Sequence, residues 1–317
     1  MKSKLAIAIG DPAGIGPEIS IKAARDSTVL EMCDPVLIGD RGALEQHAKG
    51  CGLSLDGLEI VERNAEELRI GEVRPAHGKA ALDAAGAAIR GALAGEYEAV
   101  VAAPHTEVAI HAAGIAFDGY PSFVARCTGI TAEEATLMLC FRHEGREIRI
   151  AHVTLHASVR EALGMITRPR VERTIRAVRS ALQRIGIEEP RIAVSGLNPH
   201  AGEAGAFGRE ELETIAPAIQ AARKEAMLVD GPIGADTLIA RKGYDAYVVM
   251  LHDQGHVAAK LLAPNGAAAL TIGTPVLFSS VGHGSALDIA GTGRADHRAM
   301  VEAITRLVGH RRRGPAT

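Results

Sequence analysis

Three histidines follow three separate apolar segments of the sequence, and this placement predicts a metal site. The pairs of segment and histidine are 148–151 with His152, 192–195 with His200, and 247–251 with His252. Each segment has the length and composition of a buried β-strand. In open α/β sheets the carboxyl ends of the strands meet at the edge where ligands bind. Three neutral imidazoles there would bind a borderline divalent ion such as zinc and leave positions open for substrate oxygens.

The same residues allow other arrangements. His252 and His256 are four residues apart and would share one face of a helix, whereas His152 and His156 would share one face of a strand. Any single histidine is also compatible with a purely structural, hydrogen-bonded role. The residue types and their spacing alone do not decide between these arrangements.

Two carboxylates and a lysine accompany the histidines. Asp253 and Asp236 either orient imidazoles or bind the ion themselves, and Asp236 is equally well placed to cap a helix. Lys260 lies eight residues beyond His252. A lysine beside a dication has a lowered pKa and can transfer protons near neutral pH, while the alternative is a surface lysine on a helix.

The glycine-rich segment 10–18, GDPAGIGPE, follows a predicted strand and opens a predicted helix. Gly14 and Gly16 would let a cofactor approach the backbone at the helix N-terminus, where N–H groups are free. The segment is neither G-x-G-x-x-G nor a Walker loop. A structural turn is the alternative explanation.

Composition excludes several classes of protein. A chain of 317 residues with 47% hydrophobic and 23% charged residues falls in the ordinary globular range. A net charge of −3 provides no basic field for nucleic acid, and nine Tyr and Phe with no Trp provide few stacking platforms. No apolar run approaches the length of a membrane span. We therefore expect a soluble cytoplasmic protein with no nucleic-acid or membrane partner, whose four scattered cysteines are reduced.

Short β-branched runs alternate with amphipathic stretches along the chain, which predicts an α/β fold. Strands are predicted at 5–9, 36–39, 58–61, 99–103, 137–140 and 148–155. Helices are predicted at 17–24, 78–93, 170–185, 210–224, with a bend near Pro217, and 296–308. We expect two lobes: residues 1–121 with 292–317 form one discontinuous α/β lobe, and residues 122–291 form a second lobe that carries most metal and cofactor motifs.

The segment HGSALDIAG at 283–291 resembles the adenosine-binding loop of the isopropylmalate and isocitrate dehydrogenases, with Leu287 where that loop has proline. By this resemblance His283, Gly284 and Asp288 bind the cofactor, together with the glycines of segment 10–18. Those enzymes use a metal ion and NAD(P) to oxidise a secondary alcohol β to a carboxylate and then release carbon dioxide.

Five motifs together resemble the 4-hydroxythreonine-4-phosphate dehydrogenase family over essentially the whole chain. They are GDPAGIGPE, SGLNPHAGE, GPIGADT, LHDQGH and VGHGSALDIAG, in the family's order and spacing. The resemblance implies a two-lobed α/β/α isopropylmalate/isocitrate dehydrogenase-like fold and a homodimer with the active site at the subunit interface. It also implies NAD and a divalent metal ion, held by His152, His200 and His252, with Lys260 contacting the substrate.

Several positions depart from the biosynthetic members of the family. Where they carry a substrate-binding His-Thr pair, this chain has Tyr120 and Pro121, and their substrate-binding asparagine and arginine fall on Ala269 and Phe278. These losses remove the charge-assisted contacts that a phosphate needs. At these places the chain is most similar to the terephthalate dihydrodiol dehydrogenase branch, which implies that Tyr120, Pro121 and Phe278 line the substrate pocket.

The sequence thus predicts an NAD-dependent decarboxylating dehydrogenase that acts on an aromatic-acid cis-dihydrodiol and gives a catechol. Lys260, Asp236 and Asp253 are its predicted catalytic residues. Zinc is the expected ion, with magnesium, manganese and cobalt as alternatives. Alternative substrates are 4-phosphohydroxythreonine, for pyridoxal phosphate biosynthesis, and a four-carbon phosphosugar acid. A catalytically silent metal- or nucleotide-binding scaffold is the alternative from another class of protein.

Overall fold

The structure is a computed structural model that describes residues 2–63, 68–263 and 267–308. The chain divides into two compact units, Met1–Gly129 with Pro275–Thr317 and Ile130–Thr274. The units therefore meet at 129/130 and 274/275, whereas the sequence led us to expect boundaries at 121/122 and 291/292. Residues 275–291 belong with the first unit because they contain a strand of its sheet. Residues 309–317, the end of the expected first lobe, lie outside the described residues.

The strands confirm the predicted α/β class, with bounds within a few residues of those expected. They are β1 (Lys4–Ala8), β2 (Asp34–Gly39), β3 (Glu59–Glu62), β4 (Ala99–Ala102), β5 (Thr136–His143), β6 (Arg146–His152), β7 (Arg191–Ser195), β8 (Leu228–Ile233), β9 (Ala246–Val249), β10 (Ala268–Ile272) and β11 (Phe278–Val281).

Helices separate most of these strands. They are α1 (Gly16–Ala24), α2 (Ser27–Met32), α3 (Arg41–Cys51), α4 (Pro75–Leu93), α5 (Glu107–Ala112), α6 (Tyr120–Thr128), α7 (Val159–Met165), α8 (Arg168–Arg184), α9 (Ala216–Lys224), α10 (Ala235–Leu238), α11 (His252–Leu262) and α12 (Arg298–Val308). The predicted bent helix at 210–224 is instead a π-helical turn, Glu211–Ile215, followed by α9. Pro217 lies in the first turn of α9, directly after the π-helical turn.

The first unit contains a parallel sheet in the order β3-β2-β1-β4-β11. Its core includes alanines of α4 together with Tyr120 and Phe278. The short alanine side chains let α4 pack closely on the sheet, so the larger aromatic residues fill the remaining space.

The second unit contains strands in the order β10-β5-β6-β9-β7-β8. β5 pairs antiparallel with β10 and with β6, whereas β6, β9, β7 and β8 run parallel. Parallel neighbours place their carboxyl ends at one edge, so the residues that follow β6, β9 and β7 are brought together. Within the three described ranges, no helix is long and apolar enough to cross a membrane.

Candidate active site

The parallel strands β6, β9 and β7 deliver the three predicted histidines to the same edge of the second unit. His152 is the last residue of β6 and pairs in register with Val249, the last residue of β9. His252 is the first residue of α11, three residues after β9 ends. His200 lies in a short turn, Pro199–Gly205, that follows β7.

His152 is a buried histidine with one ring nitrogen available as a donor to a ligand. Its ring is 3% exposed, and Nδ1 lies 3.3 Å from the Leu137 carbonyl oxygen. Because a carbonyl only accepts, Nδ1 carries the hydrogen, and the lone pair is on Nε2. Nε2 is buried and has no hydrogen-bond partner among the described residues. Burial, aided by the neighbouring histidines, lowers the pKa of His152 to about 3, so the ring is neutral at physiological pH.

His252 is oriented by the residue that follows it. Its Nδ1 lies 2.7 Å from Asp253 Oδ1. A carboxylate that accepts from one ring nitrogen fixes the imidazole and directs the other nitrogen, Nε2, toward a ligand. The predicted supporting role of Asp253 is therefore consistent with the contact that its side chain makes.

His256 and His156 lie in the same cluster as His152 and His252. The sequence alone had left the roles of His256 and His156 undecided. The rings of His252 and His256 stack with centroids 3.7 Å apart and planes 8° apart. His152 lies 4.7 Å from His256, and His156 lies 6.0 Å from His252, between ring centroids. Burial, with repulsion from His252, lowers the pKa of His256 to about 4. His152 and His256 are therefore uncharged near neutral pH, so their rings can approach each other closely.

Gln254 fixes the turn between β9 and α11, and sequence reasoning missed it. Its side-chain oxygen accepts from the N–H groups of Met250 and Leu251 at 2.9 and 3.0 Å. Its amide nitrogen donates to the Gly196 carbonyl at 3.1 Å. Glutamine at the third position of a helix is a known capping signal, so the position was detectable from the sequence. The residue joins the ends of β9 and β7.

His200 lies close to Asp236. A β-carbon on Gly234 would lie 2.8 Å from Asp236 Oδ1 and 3.7 Å from His200 Cα, so the two residues are close. Gly234, not Asp236, occupies the N-cap position of α10, which removes the helix-cap interpretation of Asp236. In the described part of the chain, no three His, Cys, Asp or Glu side chains are arranged to hold a metal ion.

Lys260 lies on α11 with His252 and His256, at successive spacings of four residues. These spacings place all three side chains on one face of the helix. Lys260 is exposed, and its charge contributes to the lowered pKa of His256. The structure thus places the predicted proton-transfer residue beside the histidine cluster.

The two predicted cofactor segments lie against each other in the first unit. Ile15 N–H donates to the Ser285 carbonyl at 2.8 Å, and a β-carbon on Gly14 would lie 2.7 Å from Ser285 Cβ. A β-carbon on Gly16 would collide with the Ile9 carbonyl oxygen. Close packing inside the protein therefore explains both glycines. Helix α1 begins without a side-chain cap, and Asp11 Oδ2 is buried without a partner among the described residues.

The predicted substrate-contacting residues of the first unit form an aromatic cluster. Phe278 has no exposed surface and Tyr120 is 6% exposed, with ring centroids 4.7 Å apart. His105 packs edge-on against Tyr120 at 4.8 Å and is the more exposed member. Pro121 follows in the first turn of α6. The sequence did not single out His105, because its neighbours Phe117 and Tyr120 are distant in the chain.

Known proteins resemble this chain over nearly its full length. The family model "Pyridoxal phosphate biosynthetic protein PdxA" matches residues 31–307. A 1,2-dihydroxy-3,5-cyclohexadiene-1,4-dicarboxylate dehydrogenase from Comamonas sp is 46% identical over 308 residues, 96% of each chain.

Two solved structures are similar at the level of the fold and of the sequence. A terephthalate 1,2-cis-dihydrodiol dehydrogenase from Burkholderia xenovorans LB400 is 42% identical, with a TM-score of 0.76 and coverage of 98% of this chain and 99% of the other. A 4-hydroxythreonine-4-phosphate dehydrogenase from Klebsiella pneumoniae is 34% identical, with a TM-score of 0.83 and coverage of 98% and 99%.

The fold and these relatives define a dehydrogenase that acts on a CH–OH group, with the isopropylmalate/isocitrate dehydrogenase-like fold that the sequence predicted. The chain belongs to the PdxA family. The family resemblance drawn from the five motifs is thereby confirmed, and the alternative of a catalytically silent scaffold is set aside.

Proposed function

We propose that this dehydrogenase oxidises an aromatic-acid cis-dihydrodiol with NAD and a divalent metal ion, and that the product loses carbon dioxide to become a catechol. The observation that supports this best is the aromatic cluster of Tyr120 and Phe278, which occupies positions where the resemblance places phosphate-binding groups. Position 278 carries an uncharged and wholly buried phenyl ring where the resemblance places an arginine, so it offers no guanidinium to a phosphate. The Comamonas relative, 46% identical, is a dehydrogenase of such a diol dicarboxylate.

The chemistry follows from the arrangement of groups in that diol. C2 carries a hydroxyl and its neighbour C1 carries a carboxylate, so oxidation at C2 gives a β-keto acid. The C2 hydrogen leaves as hydride to NAD⁺, and the hydroxyl proton passes to a base. The C1–carboxylate bond then breaks and carbon dioxide departs. The electron pair of that bond forms the C1–C2 double bond of an enolate, whose oxygen takes up a proton to give the enol. That enol is an aromatic catechol, which makes the step strongly favourable.

Two of the predicted histidines carry nitrogen donors that suit a divalent ion. His152 offers a buried, unpartnered Nε2, and Asp253 orients His252 so that its Nε2 is available. We propose these two residues and His200 as ligands, with a second copy of the chain completing the site in a homodimer. Zinc suits three imidazoles best. When bound, the ion supplies a Lewis acid that lowers the pKa of a chelated hydroxyl.

Lys260 is proposed to take up and return protons. It lies on the same helix face as His252 and is exposed, so its amine can reach a substrate held beside the histidines. Asp236, beside the backbone of His200, is proposed to orient that ligand or relay a proton. Asp253 acts by holding His252.

Segments 10–18 and 283–291 are proposed to bind NAD, with Gly14, Gly16, His283, Gly284 and Asp288 as contacts. The unpartnered carboxylate oxygen of Asp11 suits a hydrogen-bond donor such as an amide or a ribose hydroxyl.

The test is NADH formation by the purified protein with Zn²⁺ and 1,2-dihydroxy-3,5-cyclohexadiene-1,4-dicarboxylate, with carbon dioxide and the catechol measured in parallel. We expect the three products in equal amounts. Parallel reactions contain 4-phosphohydroxythreonine or a four-carbon phosphosugar acid. Turnover of only a phosphorylated compound would show that the dihydrodiol assignment is wrong.

Phosphohydroxythreonine is the second candidate substrate. The Klebsiella 4-hydroxythreonine-4-phosphate dehydrogenase has the higher TM-score of the two compared structures, 0.83 against 0.76. Its backbone similarity favours a related pocket shape, but the buried Phe278 offers no charge for a phosphate. We therefore place this substrate second.

A further inference from the structure

Glu211 is a buried carboxylate whose described partners are neutral donors. Its residue is 2% exposed. Oε1 accepts from the backbone N–H groups of Leu197 and Asn198, both at 2.7 Å, and Oε2 accepts from the Asn198 side-chain amide at 3.0 Å. Burying a carboxylate is unfavourable unless its oxygens are satisfied, and these bonds satisfy them. The carboxylate is thus bonded to the residues that lead into the turn carrying His200.

That turn has an unusual backbone. Six consecutive residues have positive φ: His200 (53°), Ala201 (52°), Gly202 (79°), Glu203 (41°), Ala204 (53°) and Gly205 (98°). Residues with a β-carbon disfavour this left-handed region, and runs of them are rare. Such a conformation persists only where the surrounding structure holds it.

The turn closes tightly around the carboxylate. A β-carbon on Gly202 would lie 2.6 Å from Glu211 Oε2, and a β-carbon on Gly196 would lie 3.1 Å from Oε1. Because neither glycine has a β-carbon, the Glu211 carboxylate can occupy the space beside them. Glu211 also begins the π-helical turn Glu211–Ile215, a rare form that recurs at functional sites.

We propose that Glu211 is a positioning residue that holds the left-handed turn in the shape from which His200 binds the divalent ion. This inference rests on the proposed function, in which His200 is a metal ligand. The neighbouring Glu210 provides a matched comparison, since it also accepts from the Asn198 amide, at 2.7 Å, but is exposed.

The test is the zinc dissociation constant of the full-length protein, measured by calorimetry, for Glu211→Gln and the control Glu210→Gln. Glutamine keeps the size but replaces one accepting oxygen with an NH2 group, which cannot accept from its neighbours. We expect about 10- to 100-fold weaker binding for Glu211→Gln, as for other residues that orient metal ligands. The control should change by less than about threefold, since its side chain is solvated. Wild-type affinity in folded Glu211→Gln would overturn the proposal.

To distinguish a role through His200 from a purely structural role of Glu211, the measurement is repeated in a His200→Ala background. If Glu211 acts through His200, Glu211→Gln has no further effect on zinc binding there; an equal loss in both backgrounds would overturn the proposal. Should Glu211→Gln fail to fold, Glu211→Asp replaces it, since it keeps the charge but shortens the reach. If His200→Ala alone leaves the zinc affinity unchanged, the proposed set of metal ligands is wrong as well. If zinc affinity falls in His200→Ala but not in Glu211→Gln, only the role of Glu211 is overturned.

Discussion

Replacing Gly255 with alanine should disturb His152 directly. Gly255 lies in α11, where a β-carbon would collide with His152 Nε2 and lie 2.9 Å from both His152 Cε1 and Ile150 Cγ2. Both contacted side chains are fully or nearly buried, at 3% and 0% exposure, so they have little room to move. The substitution therefore acts on a proposed metal ligand without changing the ligand itself.

Two effects of opposite sign set the magnitude. Alanine is favoured over glycine inside a helix by about 1 kcal/mol. Inserting a methyl group into a packed interior costs about 1–3 kcal/mol. Three atoms within 3 Å put Gly255→Ala toward the upper part of that range, so we expect a net loss of about 1–2 kcal/mol in the free energy of unfolding. The matched control is Gly164→Ala in α7, where a β-carbon would meet nothing within 4 Å; it should gain up to about 1 kcal/mol.

The assay is urea unfolding followed by far-ultraviolet circular dichroism in the absence of metal, because the chain contains no tryptophan for fluorescence. Zinc affinity is measured separately by calorimetry, and we expect a loss of about 10-fold or more for Gly255→Ala. The control variant should keep its affinity. Wild-type stability together with wild-type zinc affinity in Gly255→Ala would refute the close packing of His152 on α11.

Three further predictions concern single side chains. Burial lowers the pKa of His47, which is 0% exposed, so below pH 6.5 the unfolded chain takes up the proton more readily than the folded chain. The free energy of unfolding should therefore decrease as the pH is lowered from 6.5 to 5, by at most about 1.4 kcal/mol per pH unit, and His47→Gln should remove this share of the slope in urea titrations. Asp253→Ala should weaken zinc binding about 10- to 100-fold in calorimetry. It should change the free energy of unfolding by less than about 0.5 kcal/mol because the Asp253 side chain is 85% exposed. An unchanged zinc affinity would contradict the role of Asp253 in orienting His252. Phe278→Ala should cost about 3–5 kcal/mol in urea unfolding, and a loss below about 1 kcal/mol would contradict its complete burial.

The strands that deliver the histidines were predictable because their signal is local. An apolar run that ends in a polar residue marks the end of β6 and of β9 whatever the rest of the chain does. The parallel order β6-β9-β7 then brings those ends to one edge. The five motifs together also indicate the family from the sequence alone.

Other features depended on contacts that no local pattern shows. The domain boundary differs because β11 pairs with β4, which lies far away in the sequence. The sequence also predicted Phe278 as a substrate contact, but only the structure shows that its buried ring packs against Tyr120, with ring centroids 4.7 Å apart. A residue's type and neighbours in the chain do not determine which side of a sheet is covered by a helix.

The sequence by itself determined the α/β class, the strand ends that carry histidines and the family, because periodicity and short motifs are properties of consecutive residues. Only the tertiary structure decided how those histidines are held. Gln254 reaches Gly196, Glu211 reaches Leu197 and Asn198, and Gly255 gives room to His152. Each of these contacts joins residues from different elements, so it exists only once the strands and helices have packed together.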